Sequence, residues 1–145
     1  MRFYYFLTSL LNPIALGWMR LKTRFRPRER VRVIVLDKQG RVLLVRPVIG
    51  IRKWELPGGM PRQGETFEAA VTRELCEETG LKINKAAMRF VMEYLRPYPM
   101  RVYETRVEIG KIHRKSFEIR DAKWFSVADL PTDTVLFVKR LLKEK

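Results

Sequence analysis

Glu74, Glu77 and Glu78 stand at positions i, i+3 and i+4. On a helix of 3.6 residues per turn, that spacing carries three carboxylates to one side within about one turn. Like charges so placed repel and destabilise a helix by tenths of a kcal/mol per pair. Hard divalent cations want several oxygen ligands, and Mg²⁺ is commonly held by one or two carboxylates together with substrate phosphates. The three acids suit that task. They also suit a plain solvated helix face with Arg73 as a neighbouring partner. Taken alone, the triplet favours the plain face; its surroundings favour the cation.

Those surroundings begin with Gly58 and Gly59, where the backbone can turn sharply and approach a ligand or ion closely. Glu65 follows, just before the helix, where a negative charge suits the helix dipole. Arg73 can hold a carboxylate through two parallel hydrogen bonds and so orient the acids. Phe67, Ala70, Val71 and Leu75 recur at helical spacing, which predicts a helix from Thr66 to Thr79, and Gly80 is a natural stop.

The elements that must carry this helix read as a mixed α/β domain. Val31–Leu36 is short and β-branched, Asp37–Gly40 is a turn, and Arg41–Arg46 is a second strand, a hairpin partner of the first. Residues 87–96 and 101–109 predict two further strands, joined by Arg96-Pro97-Tyr98-Pro99-Met100. Ala122–Phe125 predicts a last short strand, and Thr132–Lys143 a closing helix. No internal repeat or low-complexity tract is present.

From Gly59, five residues lead to Glu65 and seven more to Arg73-Glu74-Leu75, then Glu77-Glu78, then Gly80-Leu81. This resembles the Nudix box, G-x5-E-x7-R-E-U-x-E-E-x-G-U with U apolar, at every position. Seven fixed residue types at ordinary usage coincide by chance about once in 10⁸ registers or less. The resemblance extends to Val31–Val45, Trp54–Gly59 and the stretch from Glu118 through Trp124-Phe125 to Asp129-Leu130-Pro131, so roughly residues 30–143. It implies an α/β (α+β) fold, a Nudix-type α/β/α sandwich with a mixed central sheet and the loop–helix motif. It implies a Nudix pyrophosphohydrolase, a metal-dependent hydrolase that cleaves the diphosphate linkage of a nucleoside diphosphate joined to another moiety. That moiety is a sugar, ADP-ribose, a dinucleoside polyphosphate or the remainder of an NTP. The positions of Glu74, Glu77 and Glu78 then bind Mg²⁺ or Mn²⁺, the Gly59 carbonyl assists, and Gly58 and Glu65 support the loop. Arg73, Glu74 and Glu77 are the catalytic set. The general base is Glu77 or an acid of a downstream loop, for which Glu118 is the candidate. Such a fold that senses a nucleotide without cleaving it is the first alternative, although sensors of this kind tend to lose a box glutamate. A basic membrane-peripheral or RNA-binding protein is the second.

Around the box, Arg46, Arg52, Lys53, Tyr98 and Glu118 are candidate substrate contacts, although Glu118 reads slightly better as plain surface charge. In Nudix subfamilies a proline some 15–16 residues past the box marks ADP-ribose hydrolases, and a tyrosine at 16–18 marks dinucleoside polyphosphate hydrolases. Pro97 and Tyr98 lie 16 and 17 residues past Leu81, so the two rules cancel. His113, the single histidine, reads as a solvated loop residue, Cys76 as packing, and Trp54 and Trp124 as core or base-stacking residues.

Composition bounds the rest. The chain has 145 residues, one domain's worth, with 46% hydrophobic residues, too many for a disordered chain. One cysteine and one histidine exclude an internal disulfide and a zinc set, which makes a reducing cytoplasm the expected compartment. The net charge of +14 favours anionic partners. Half of it, +7, lies in residues 1–32. There Phe3–Met19 is uncharged, with eleven large apolar side chains, and seven basic residues follow within thirteen positions. We therefore divide the chain into an apolar-then-basic segment, 1–29, and a hydrolase domain, 30–145. Pro13–Lys22 predicts a helix that either docks on an anionic membrane surface or packs on the domain or on a second copy in a homodimer. A cleaved signal peptide fits poorly, because basic residues follow the apolar run more densely than they precede it. The expected partner is a nucleotide-type diphosphate; nucleic acid remains a further candidate.

Overall fold

The computed structural model describes residues 29–94, 99–108, 112–113 and 116–144. The expected helix at Pro13–Lys22, its membrane or dimer contacts, and Tyr98 all lie outside the described residues. No helix among the described residues is long and apolar enough to cross a membrane.

Five strands form one sheet: β1 Arg30–Leu36, β2 Val42–Pro47, β3 Arg89–Tyr94, β4 Met100–Arg106 and β5 Ile119–Phe125, in the order β3-β4-β1-β2-β5. β1 runs parallel to β4, and every other neighbouring pair is antiparallel. Among the described residues two α-helices, α1 Phe67–Thr79 and α2 Leu136–Lys143, cover opposite faces. Ala70, Val71 and Leu75 of α1 pack on Val31, Val33, Val35 and Leu43. Val138, Leu141 and Leu142 of α2 pack with Ile34, Val42 and Leu44. Burial on both faces explains why the central strands read as nearly unbroken apolar runs rather than alternating ones. The architecture is the mixed-sheet sandwich expected from the sequence.

β3 begins at Arg89 rather than residue 87, after the 3-10 turn Lys85–Ala87, and β4 spans Met100–Arg106 rather than 101–109. Two further boundaries moved for a tertiary reason. β5 begins at Ile119 rather than Ala122 because pairing with β2 continues to Pro47↔Ile119. α2 begins at Leu136 rather than Thr132 because the preceding backbone is otherwise engaged. Thr134 N–H donates to Pro131 O at 3.0 Å, and Val135 N–H to Trp54 O at 2.9 Å.

The feature that positions the site is a gap in the sheet. β1 and β2 pair directly at Leu36↔Val42, where the hairpin closes. Beyond it, the segment Trp54–Gly59 is hydrogen-bonded to both strands. Glu55 exchanges two 2.9 Å hydrogen bonds with Val45 of β2. On the other side, Val33 and Val31 of β1 donate to Pro57 O at 3.0 Å and Gly59 O at 2.9 Å. The glycine turn is thereby laced into the middle of the sheet.

Candidate active site

α1 starts and stops where its residues dictate. Thr66 is the N-cap and its hydroxyl accepts from Ala69 N–H at 3.2 Å. Gly80 ends the helix in the left-handed region, φ 77°, and its N–H donates to Cys76 O. With Ala70, Val71 and Leu75 turned to the sheet, Glu74 and Glu78 meet the glycine turn, and Glu77 is exposed against Arg62 and Arg73.

Glu78 accepts from Gly58 N–H at 3.0 Å. Burial pushes its carboxyl up to about 8, against the lowering effects of that N–H and of Arg32. Glu74 lies against the α-carbon of Gly59. A Cβ there would stand 2.5 Å from Glu74 Cδ and 2.8 Å from its Oε2. Burial raises the Glu74 carboxyl too, opposed by Arg73 and aided by the negative charges of Glu77 and Glu118. That last influence places Glu118, an exposed residue just before β5, within electrostatic reach of the site.

Arg73 ties the loop to the helix. Its Nε and Nη2 donate to the two oxygens of Glu65, both at 2.9 Å, and Nη2 also donates to Met60 O at 3.1 Å. Its Nη1 pairs with Glu74 at 2.9 Å and with Glu77 at 3.1 Å. The hydrogen bonds from Arg73 hold the Glu65 carboxyl down at about 2. Arg62, which the sequence reading passed over, donates from Nη2 to the other Glu77 oxygen at 3.0 Å. Arg32 and Glu55 were likewise passed over. Arg32 donates to Gly58 O at 2.6 Å and pairs with Glu55 at 3.1 Å, bracing the turn from the opposite face. The position of Arg32 among the valines of β1 was the available signal, since a charge in a buried strand asks for a partner.

The outer candidates are dispersed. Arg46 pairs with Asp133 at 2.5 Å and its guanidinium lies 4.7 Å from the Trp54 ring centroid. Arg52 and Lys53 are exposed in the loop after β2.

Among the described residues, no three acidic, His or Cys side chains gather around one point. Glu74 and Glu77 are drawn onto Arg73, and Glu78 onto the Gly58 amide. The donor set nevertheless fits a hard divalent cation: it is all oxygen, and two carboxylates are held where burial opposes their ionisation. The Gly59 carbonyl, though engaged by Val31 N–H, has a second lone pair to offer.

Replacing Gly59 by alanine tests the placement of Glu74. We expect kcat/KM to fall by roughly 10²-fold, the effect of displacing a reacting group by about 1 Å, while thermal stability changes little. The added methyl meets the end of a flexible side chain rather than backbone. Activity within twofold of the unmodified protein would show that Glu74 need not sit there.

Residues 26–144 match the NUDIX domain family. The protein named NAD-capped RNA hydrolase NudC from Chromobacterium violaceum is 32% identical over 110 residues, covering 72% of this chain and 41% of that protein. The NudC of Deinococcus radiodurans is 37% identical over 76 residues, covering 50% of this chain and 26% of that protein. The chain thus spans between a quarter and about two-fifths of the length of these relatives. Among solved structures, the NUDIX domain of Shewanella oneidensis NrtR, complexed with ADP ribose, superposes with a TM-score of 0.69. It is 20% identical, covers 80% of this chain and 84% of that one, and attests the fold.

Proposed function

We propose that this chain, which belongs to the Nudix hydrolase family, cleaves the diphosphate bridge of a nucleoside diphosphate joined to another group. The observation that carries the reading is the pairing of the glycine turn with two half-buried acids, Glu74 and Glu78. Gly58 N–H holds Glu78, and Gly59 leaves room only for Glu74. Two neighbouring carboxylates whose ionisation is opposed by partial burial are a signature of functional sites more than of stability.

Glu74, Glu77 and Glu78, with the Gly59 carbonyl, would hold Mg²⁺ or Mn²⁺. When bound, such ions polarise phosphoryl oxygens and lower the pKa of an attacking water. The chain's own residues do the rest. Arg73 fixes Glu65 and Met60 O, and so holds the loop from Gly59 to Glu65 against the helix. Arg32 and Glu55 brace the turn from beneath. Glu118, exposed and within reach of Glu74's charge, can accept a proton from water; Glu77 is the other candidate for that role.

Two observations support a nucleotide-type polyanion as substrate: the net charge of +14 and the similarity to relatives named NAD-capped RNA hydrolases. The complete set of acids favours hydrolysis over a sensing role. A panel of NAD-capped RNA, ADP-ribose, diadenosine tetraphosphate and nucleoside triphosphates, each with Mg²⁺ or Mn²⁺, tests the reading through released products. We expect metal-dependent cleavage of at least one. Cleavage of none with either ion, by a protein that still binds them, would favour the sensor.

A further inference from the structure

We propose that Arg62 is a movable positioning residue: it rests on Glu77 when the site holds no cation and turns to the substrate's phosphate when Glu77 is taken up by one. This rests on the reaction class proposed above.

The two arginines that hold Glu77 differ in how they are anchored. Arg73 has a side chain only 16% exposed, and its guanidinium also serves both oxygens of Glu65 and the Met60 carbonyl. It remains in place whatever Glu77 does. Arg62 has a side chain 59% exposed, and its guanidinium hydrogen-bonds Glu77, itself 47% exposed, while its charge also reaches Glu65. Pairs so exposed contribute little and are easily exchanged. The backbone of Arg62, by contrast, is fixed. Its N–H donates to Glu65 Oε2 at 2.8 Å, and its carbonyl accepts from Glu65 N–H at 3.0 Å. Arg62 is therefore a mobile cation on a rigid mount, between the glycine turn and the acids.

With Arg62 on one oxygen of Glu77 and Arg73 on the other, both oxygens are engaged by guanidinium N–H groups. A cation must displace at least one, and Arg62 is the weaker hold. Once released, its planar fork matches the oxygens of a phosphate bound beside those acids.

The two halves predict effects of opposite sign in Arg62→Gln. Calorimetric titration with Mn²⁺ alone should show tighter binding by roughly two- to fivefold, because a surface ion pair no longer competes. Titration with the non-hydrolysable α,β-methylene-ADP at saturating Mn²⁺ should show binding weakened about tenfold, the loss of a charge-assisted hydrogen bond. Arg62→Lys should recover part of the second effect. Lys82→Gln, which removes an exposed charge beyond the other end of α1, should leave Mn²⁺ affinity unchanged. Unchanged or weaker Mn²⁺ binding in Arg62→Gln, or equal tightening in Lys82→Gln, overturns the resting contact. Unchanged analogue binding overturns the transfer to phosphate. Neither measurement needs turnover, so a failure of the hydrolase reading in the substrate panel is seen separately.

Discussion

Replacing Glu78 by glutamine is expected to lower kcat/KM about a thousandfold and, in the metal-free protein, to raise stability above neutral pH. The first effect follows from losing a cation ligand. A bound metal supplies several kcal/mol of transition-state stabilisation, and about 4 kcal/mol corresponds to roughly 10³ in rate. The second follows from burial. Glu78 ionises near the ordinary glutamate value of 4.5 when unfolded and is pushed up to about 8 in the fold. Between those values the folded state holds the proton that the unfolded chain has released. The native state therefore binds more protons, and stability falls as pH rises through this window. Glutamine stays neutral and removes that slope. It also keeps the shape that accepts Gly58 N–H. Thermal melts of both proteins in chelator at pH 5 and pH 8 should differ little at the lower pH and by a few degrees at the higher, with the variant more stable. Adding Mg²⁺ or Mn²⁺ should stabilise the unmodified protein more than the variant. Full activity in Glu78→Gln, and likewise in Glu77→Gln, would remove the cation assignment. A variant less stable at pH 8 would remove the burial argument alone.

Gly58→Ala is expected to cost the fold itself, by roughly 4 kcal/mol or more, a large part of an ordinary domain's stability. Gly58 has φ 140°, a conformation that side chains rarely adopt. Space is the greater obstacle. A Cβ there would overlap the carbonyl oxygen of Val31 and stand 3.0 Å from Arg32 Cα. Both are backbone atoms of the central strand, and the turn is bonded to that strand on either side of Gly58. Neither partner can yield without opening the sheet. Gly50→Ala is the matched comparison: φ is 88° but nothing lies within 4 Å of the added carbon, so about 1 kcal/mol is expected. Urea unfolding separates the two. A loss below about 1 kcal/mol in Gly58→Ala would mean that the turn is not locked into β1 as described.

Much of this molecule was legible in its sequence because the relevant physics is local. Helical spacing located α1, and its cap and stop residues bounded it to within one residue. The grouping of three acids on one edge followed from the same 3.6-residue period. The capacity of Arg73 for a two-pronged grip followed from residue type, and Glu65, eight positions away, is its partner. β1 and β2 were readable as short β-branched runs around a turn.

What was not legible depended on distant segments meeting. Arg46 looked free to meet a phosphate, yet Asp133 holds it from 87 residues away. Arg62 drew no notice in the sequence, and only the fold sets it on Glu77, 15 residues on. Above all, the sequence determined that two glycines precede an acidic helix, while the tertiary structure decided what they are for. The opening between β1 and β2 admits Trp54–Gly59, so that Gly58 meets Val31 and Glu78 while Gly59 meets Glu74. Periodicity reports which face a side chain takes. Only long-range backbone pairing decides which atoms that face will meet.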